Sequence, residues 1–111
     1  MKVRELVDKL DLKVFSGEKG LDNEIDGGYV SDLLSDVMGF ANEGSVWITL
    51  QVHKNIMAIA SLKELAAVII VKGYVPEEDA IEVSNQENIP ILGTKENTFE
   101  IAGKIYGLLS K

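Results

Sequence analysis

The sequence predicts a three-layer α/β/α domain built on a mostly parallel sheet. Three observations carry that expectation. Ala66-Ala67-Val68-Ile69-Ile70-Val71 is apolar without alternation, as a parallel strand covered on both faces must be. It is flanked by two helical patterns, Val52 to Leu65 and a stretch opening at Pro76. Outside these lie two more short apolar runs, Val46 to Leu50 and Ile89 to Leu92. Strand, helix, strand, helix, strand requires right-handed crossovers, hence parallel strands sandwiched by helices. With 111 residues, one domain over 1–111 is expected and a second has no room.

The elements follow in order. Lys2 to Leu10 carries Val3, Leu6, Val7 and Leu10 at helical spacing. Leu12 to Phe15 is a candidate strand, closed by a Ser16-Gly17-Glu18-Lys19-Gly20 turn. Glu24 to Val30 is a second candidate strand, broken by Gly27-Gly28. Ser31 is expected to cap a helix through Met38, with Gly39 as its stop. Pro76 is expected at the first helical position, followed by Glu77, Glu78 and Asp79, acids that favour the helix dipole. Pro90 sits near the start of its strand, where a missing N–H is tolerated. Asn97-Thr98-Phe99-Glu100 has capping-box spacing and opens a last helix through Leu109.

Composition excludes several functions. There is no cysteine, so thiolate metal sites, disulfides and cysteine nucleophiles are out, and a cytosolic location is expected. A net charge of −7 disfavours nucleic acid, whose phosphates attract basic surfaces. No apolar run approaches the ~20 residues that span a bilayer, and Met1-Lys2-Val3-Arg4-Glu5 lacks the apolar core of a signal peptide. Between Gly20 and His53 stand Asp22, Glu24, Asp26, Asp32, Asp36 and Glu43, with no lysine or arginine. Such a run is either a solvated face or a docking face for a basic partner.

Ligands of open parallel sheets bind beyond the carboxyl ends of the strands. Here those ends present Ser31 and Asp32, then Gln51, His53 and Lys54, then Lys72 and Gly73, then Thr94, Lys95, Asn97 and Thr98. These residues are the candidate ligand-binding set. Lys54, Lys72 and Lys95 are expected to converge within about 10–12 Å on an anion, such as a carboxylate or phosphate, near helix N-termini. Polar loops that bind nothing are the plain alternative. No phosphate-binding glycine loop, dinucleotide fingerprint or nucleophile elbow occurs. His53 is the only histidine, so no histidine metal cluster is possible, and no metal or cofactor is expected. Asp32 and Asp36, four apart, could share a helix face. Trp47 is expected in the core.

The layout resembles the DRTGG domain over almost its whole length. The resemblance rests on Lys2-Val3-Arg4-Glu5-Leu6-Val7, Gly20-Leu21-Asp22-Asn23-Glu24-Ile25 and Asn42 to Thr49. Leu65 to Ile70 and Thr98-Phe99-Glu100-Ile101-Ala102 complete it. The last segment is similar to the family's Asp-Thr-Phe/Tyr opening of its final helix, with Asn97 in place of aspartate. The literal string Asp-Arg-Thr-Gly-Gly is absent. Where the family often has Thr-Gly-Gly, this chain has Lys72-Gly73-Tyr74. The resemblance implies a fold like the N-terminal domains of HPr kinase and the Mur ligases. It also implies a regulatory or assembling role, as in phosphotransacetylases and CBS-containing pyrophosphatases. Stand-alone copies of the domain also occur, sometimes beside hydrogenase-like iron–sulfur proteins.

Three functions therefore stay open. The first is a regulatory module that binds a small anion or nucleotide and acts on a partner enzyme. The second is a small enzyme acting on an anionic metabolite through Asp32 or His53. The third is a protein adaptor without a ligand. A homodimer through Leu33 to Phe40 is expected, because Tyr29, Val30, Leu33, Leu34, Val37, Met38 and Phe40 exceed what one short helix buries. These side chains completing the monomer core is the alternative.

Overall fold

Five strands form one sheet in the computed structural model, which describes residues 1–110. They are β1 (Lys13–Ser16), β2 (Gly27–Val30), β3 (Ser45–Thr49), β4 (Ala67–Ile70) and β5 (Ile91–Gly93), in the spatial order β1-β5-β4-β3-β2. Strands β2 to β5 are parallel, and β1 runs antiparallel along β5. The three strands expected near 46–50, 66–71 and 89–93 are β3, β4 and β5, and β4 is buried at every residue. The helices are α1 (Val3–Leu10), α2 (Leu34–Phe40), α3 (Asn55–Leu62), α4 (Glu78–Glu87) and α5 (Thr98–Leu109), with a single 3₁₀ turn at Glu18–Gly20. None of the helices among the described residues is long and apolar enough to cross a membrane.

The chain order decides which helix covers which face. Strands β2 to β5 are neighbours in sequence order without reversal, so right-handed crossovers put α2, α3 and α4 on one face. Val37 of α2, Ile56 and Met57 of α3 and Ala80 of α4 pack there against Trp47, Val68, Ile70 and Ile91. The opposite face shows Val46, Ile48, Ile69 and Leu92, and only the helices outside the crossovers remain to cover it. Val3 and Leu6 of α1 and Ile101 and Ile105 of α5 do so. Successive residues of β3 and β4 alternate between the two clusters, as the pleat requires. Trp47 is fully buried, as expected, and its Nε1–H donates to the Ser31 carbonyl at 2.8 Å.

Several boundaries differ from the sequence expectation, for local reasons. α2 starts at Leu34 with no side-chain cap. Ser31 instead bonds the Leu33 N–H at 3.1 Å, and Asp32 is drawn to the end of β3. α2 also runs past Gly39 to Phe40, since a lone glycine weakens a helix without ending it. α3 is shorter than 52–65: Glu64 turns left-handed at φ 53 just beyond it. Pro76 stands outside α4, whose cap is Glu77; the Glu77 N–H donates to the Val52 carbonyl at 3.0 Å and keeps the chain extended there. Only 27–30 of the second candidate strand pairs with β3. Asn97 caps α5 as expected, its Oδ1 accepting from the Glu100 N–H at 3.0 Å.

Candidate functional site

Adjacent parallel strands leave a crevice at their carboxyl ends where the chain departs to opposite faces. β4 leads to α4 on one face, whereas β5 leads to α5 on the other. A cleft of about 490 Å³ opens at that place. Gly73, Tyr74 and Val75 line it from the loop after β4, and Thr94, Lys95 and Glu96 from the loop after β5. Leu10, Asp11, Lys13 and Phe15 close the side toward β1.

Backbone bonds hold the two loops together. The Lys72 N–H donates to the Glu96 carbonyl at 2.9 Å, the Gly73 N–H to the Thr94 carbonyl at 2.8 Å, and the Thr94 N–H to the Ile70 carbonyl at 3.0 Å. Lys72 and Gly73 are both left-handed, at φ 61 and 72. That conformation is uncommon for a lysine. The Phe15 ring covers Gly93 so closely that any Cβ there would collide with it, so glycine lets an aromatic side chain form part of the wall. Lys13 Nζ lies 4.8 Å from the centre of the same ring, within cation–π range.

The charges on the rim are Lys13, Lys95, Asp11 and Glu96. Glu96 is paired outward with Lys104 at 2.7 Å, which offsets one carboxylate. Two ammonium groups beside Phe15, Tyr74 and Val75 suit a ligand with an anionic part and a flat, apolar part. Among the described residues there is no cluster of three or more His, Asp or Glu side chains that could hold a metal ion.

Of the expected set, the structure brings Gly73, Thr94 and Lys95 together in the cleft. Lys72 is exposed beside Gly73, and Lys54 stands before α3, on the loop after β3. Of the three lysines only Lys95 lines the cleft. Asn97 and Thr98 begin α5. The rest forms a brace at the ends of β2 and β3. Asp32 Oδ1 accepts from Thr49 Oγ1 and from the Leu50 N–H, both at 2.9 Å. Gln51 Nε2 donates to the Asp32 carbonyl at 2.9 Å, and Ser31 accepts from Trp47. His53 Nδ1 accepts from the Asn55 N–H at 3.2 Å, a turn-closing role.

Asp32 and Asp36 do not form a pair. Asp32 precedes α2, and Asp36 accepts from the Tyr29 hydroxyl at 3.0 Å. Desolvation, together with that carboxylate, raises the Tyr29 phenol above its ordinary pKa. Lys13, Phe15 and Tyr74 were not in the expected set. Leu12 to Phe15 was legible as a strand, but only its pairing with β5 brings Lys13 and Phe15 to the cleft.

Fold and cleft together define an open-sheet α/β domain with helices on both faces and a crevice where its last two parallel strands part. A profile of the DRTGG domain matches residues 5–108, and the chain belongs to that family. The resemblance read from the sequence is thereby established, although the string that names the family is absent. The fold is similar to that of the CBS and DRTGG domains of the regulatory region of Clostridium perfringens pyrophosphatase, a crystal structure in complex with the activator diadenosine tetraphosphate. The TM-score is 0.72 at 18% identity, over 92% of this chain and 44% of that one. This chain thus spans less than half of that structure's length. No curated protein sequence matches this chain significantly.

Proposed function

We propose that this domain is a regulatory binding module that takes a small anionic ligand of nucleotide type in the cleft outside β4 and β5, and passes its occupancy to a partner enzyme in the cytosol, the domain itself working as a homodimer. The observation that carries the reading is the lining of the cleft, where Lys13 and Lys95 stand beside Phe15 and Tyr74. Phosphates answer the two ammonium groups, and a base answers the rings. The volume lies in the small-molecule range of roughly 300–1,000 Å³. The diadenosine tetraphosphate of the clostridial structure supports the nucleotide class. It is bound by a region more than twice as long as this chain, so the lining of the cleft here carries the greater weight. Asp32 and His53 are both engaged in local hydrogen bonds, which favours binding over catalysis.

A thermal-shift screen with ATP, diadenosine tetraphosphate, acetyl phosphate and pyrophosphate tests this. A nucleotide is expected to raise Tm more than pyrophosphate does, because pyrophosphate leaves the rings unused. Lys95→Ala should weaken nucleotide binding about tenfold, the loss of one charge-assisted contact, and added salt should weaken it further. No shift with any compound at millimolar concentration would leave an adaptor without a ligand. Turnover that disappears in Asp32→Ala or His53→Ala would point to an enzyme instead.

A further inference from the structure

β2 is the outer strand of the sheet, and among the described residues its far side is unpaired. Exposed edges are normally guarded by charge, proline, a bulge or a covering segment. Gly27-Gly28-Tyr29-Val30 has no charge and no proline, and its register with β3 is regular. The Ser31 N–H bonds to the Ile48 carbonyl. That phase turns the polar groups of Gly27 and Tyr29 toward β3 and leaves those of Gly28 and Val30 facing outward. Both faces beside this edge are apolar as well. On one, a groove of about 360 Å³ runs between β2 and α5, lined by Gly28, Val30, Phe99, Gly103 and Tyr106 among others, with no charged side chain. On the other, α2 and its approach expose Leu33 and Phe40.

We propose that this edge is the interface between two copies of the chain. Two β2 strands meet antiparallel across a two-fold axis, through the outward N–H and C=O groups of Gly28 and Val30, and the two sheets become one. Helix α5 then packs against its mate on one face and α2 against its mate on the other. Two properties choose a second copy over another occupant. First, a two-fold contact must be self-complementary, and an antiparallel β2 pair with the same apolar flanks on each side meets that condition. Second, the area suffices. Phe99 is 88% exposed, Tyr106 76%, Phe40 71%, Leu33 63% and Val30 48%. With an aromatic at roughly 150–250 Å², these five offer on the order of 600 Å². The edge backbone brings the total toward the roughly 800 Å² per partner of a stable dimer. The earlier expectation of a dimer through Leu33 to Phe40 becomes one flank of this larger contact.

This inference rests on the homodimer of the proposed function and is independent of the ligand cleft, which lies toward the other end of the sheet. Sedimentation equilibrium of the 111-residue chain at micromolar concentrations tests it, with two variants. Val30→Pro removes an outward N–H and leaves the bonds to β3 intact. Tyr106→Asp puts a charge on an exposed position of α5 and does not touch the core. Wild type is expected at twice its 12.1 kDa chain mass, and both variants at the monomer mass with an unchanged circular dichroism spectrum. If Val30→Pro fails to fold, Tyr106→Asp decides alone. A dimer that survives Tyr106→Asp overturns this interface alone, and a monomeric wild type overturns it together with the homodimer of the proposed function.

Discussion

The two edges of the sheet are built in opposite ways. At the β1 edge the register with β5 slips between Val14 and Ser16, and Lys13 stands on the strand. Below it the chain is tied down tightly. Ser16 Oγ bonds Ser84 Oγ at 2.8 Å inside the core, and Ser84 donates on to the Ile89 carbonyl at 2.6 Å. The Gly17 N–H bonds Asn85 at 2.7 Å, and Gly20 lies so close to the Asn88 carbonyl that a Cβ would overlap it. At the β2 edge, Gly28 and Val30 are exposed, and the ties run inward only, from the Tyr29 hydroxyl to Asp36 and from the Asp26 N–H to the Gly44 carbonyl. The guarded edge walls the cleft, and the open edge leaves the outward N–H and C=O groups of Gly28 and Val30 unpaired among the described residues.

Glycine substitution is the strongest way to probe this difference. Gly20→Ala drives a methyl group into the Asn88 backbone, which cannot yield as a side chain could. A loss of about 3 kcal/mol is expected, more than about 10 °C in Tm, measured by thermal denaturation. Gly27→Ala at the other edge meets only Ser45 Oγ at 3.8 Å, an ordinary contact. It should change stability by less than about 0.5 kcal/mol. Equal costs at the two positions would erase the contrast.

Ser84→Ala comes next in size. It removes the acceptor of Ser16 and leaves that buried hydroxyl unsatisfied, at a cost of about 2 kcal/mol by urea unfolding. Ser16→Ala should cost less, because Ser84 keeps its bond to Ile89. Asn97→Ala, which removes the cap of α5, should cost about 1 kcal/mol.

The smallest effect is a pH dependence at the amino-terminal side of the sheet. The Glu64 carboxyl beside Glu43 raises the Glu43 pKa above its usual value. A raised carboxyl adds stability when protonated, so that contribution is present in acid and lost as pH rises through its folded value. Arg4 lowers Asp22 below its usual value, through a hydrogen bond and then its charge. That contribution is present near neutrality and lost as pH falls. Glu64→Gln should therefore change Tm relative to wild type more favourably at pH 7 than near pH 4, where the contribution of the pair is lost with the carboxyl. Equal shifts at both pH values would mean that the two carboxyls do not interact.

Much of the fold was legible because the unalternating run at 66–71 admits few positions other than the centre of a parallel sheet. The cap at Asn97 was legible for a similar reason, since its partner is only three residues away. The N-terminus of α2 was not, because Asp32 answers to Thr49 and Leu50 on another strand, and no local pattern records that pull. The cleft was half legible. Gly73, Thr94 and Lys95 follow from strand order, whereas Lys13 and Phe15 depend on an antiparallel pairing across a long stretch of chain. Strand order alone groups Lys54 with Lys95, since both follow a strand, but β4 stands between their two strands.

The central claim is that a nucleotide enters the cleft between the loops after β4 and β5. An amide-resolved NMR titration of the isotope-labelled chain with ATP tests it most directly. The account predicts saturable shifts at Gly73, Tyr74, Thr94 and Lys95, with Gly28 and Val30 unmoved. Shifts confined to Asp32, Gln51 and His53, or no shifts at all, would contradict it.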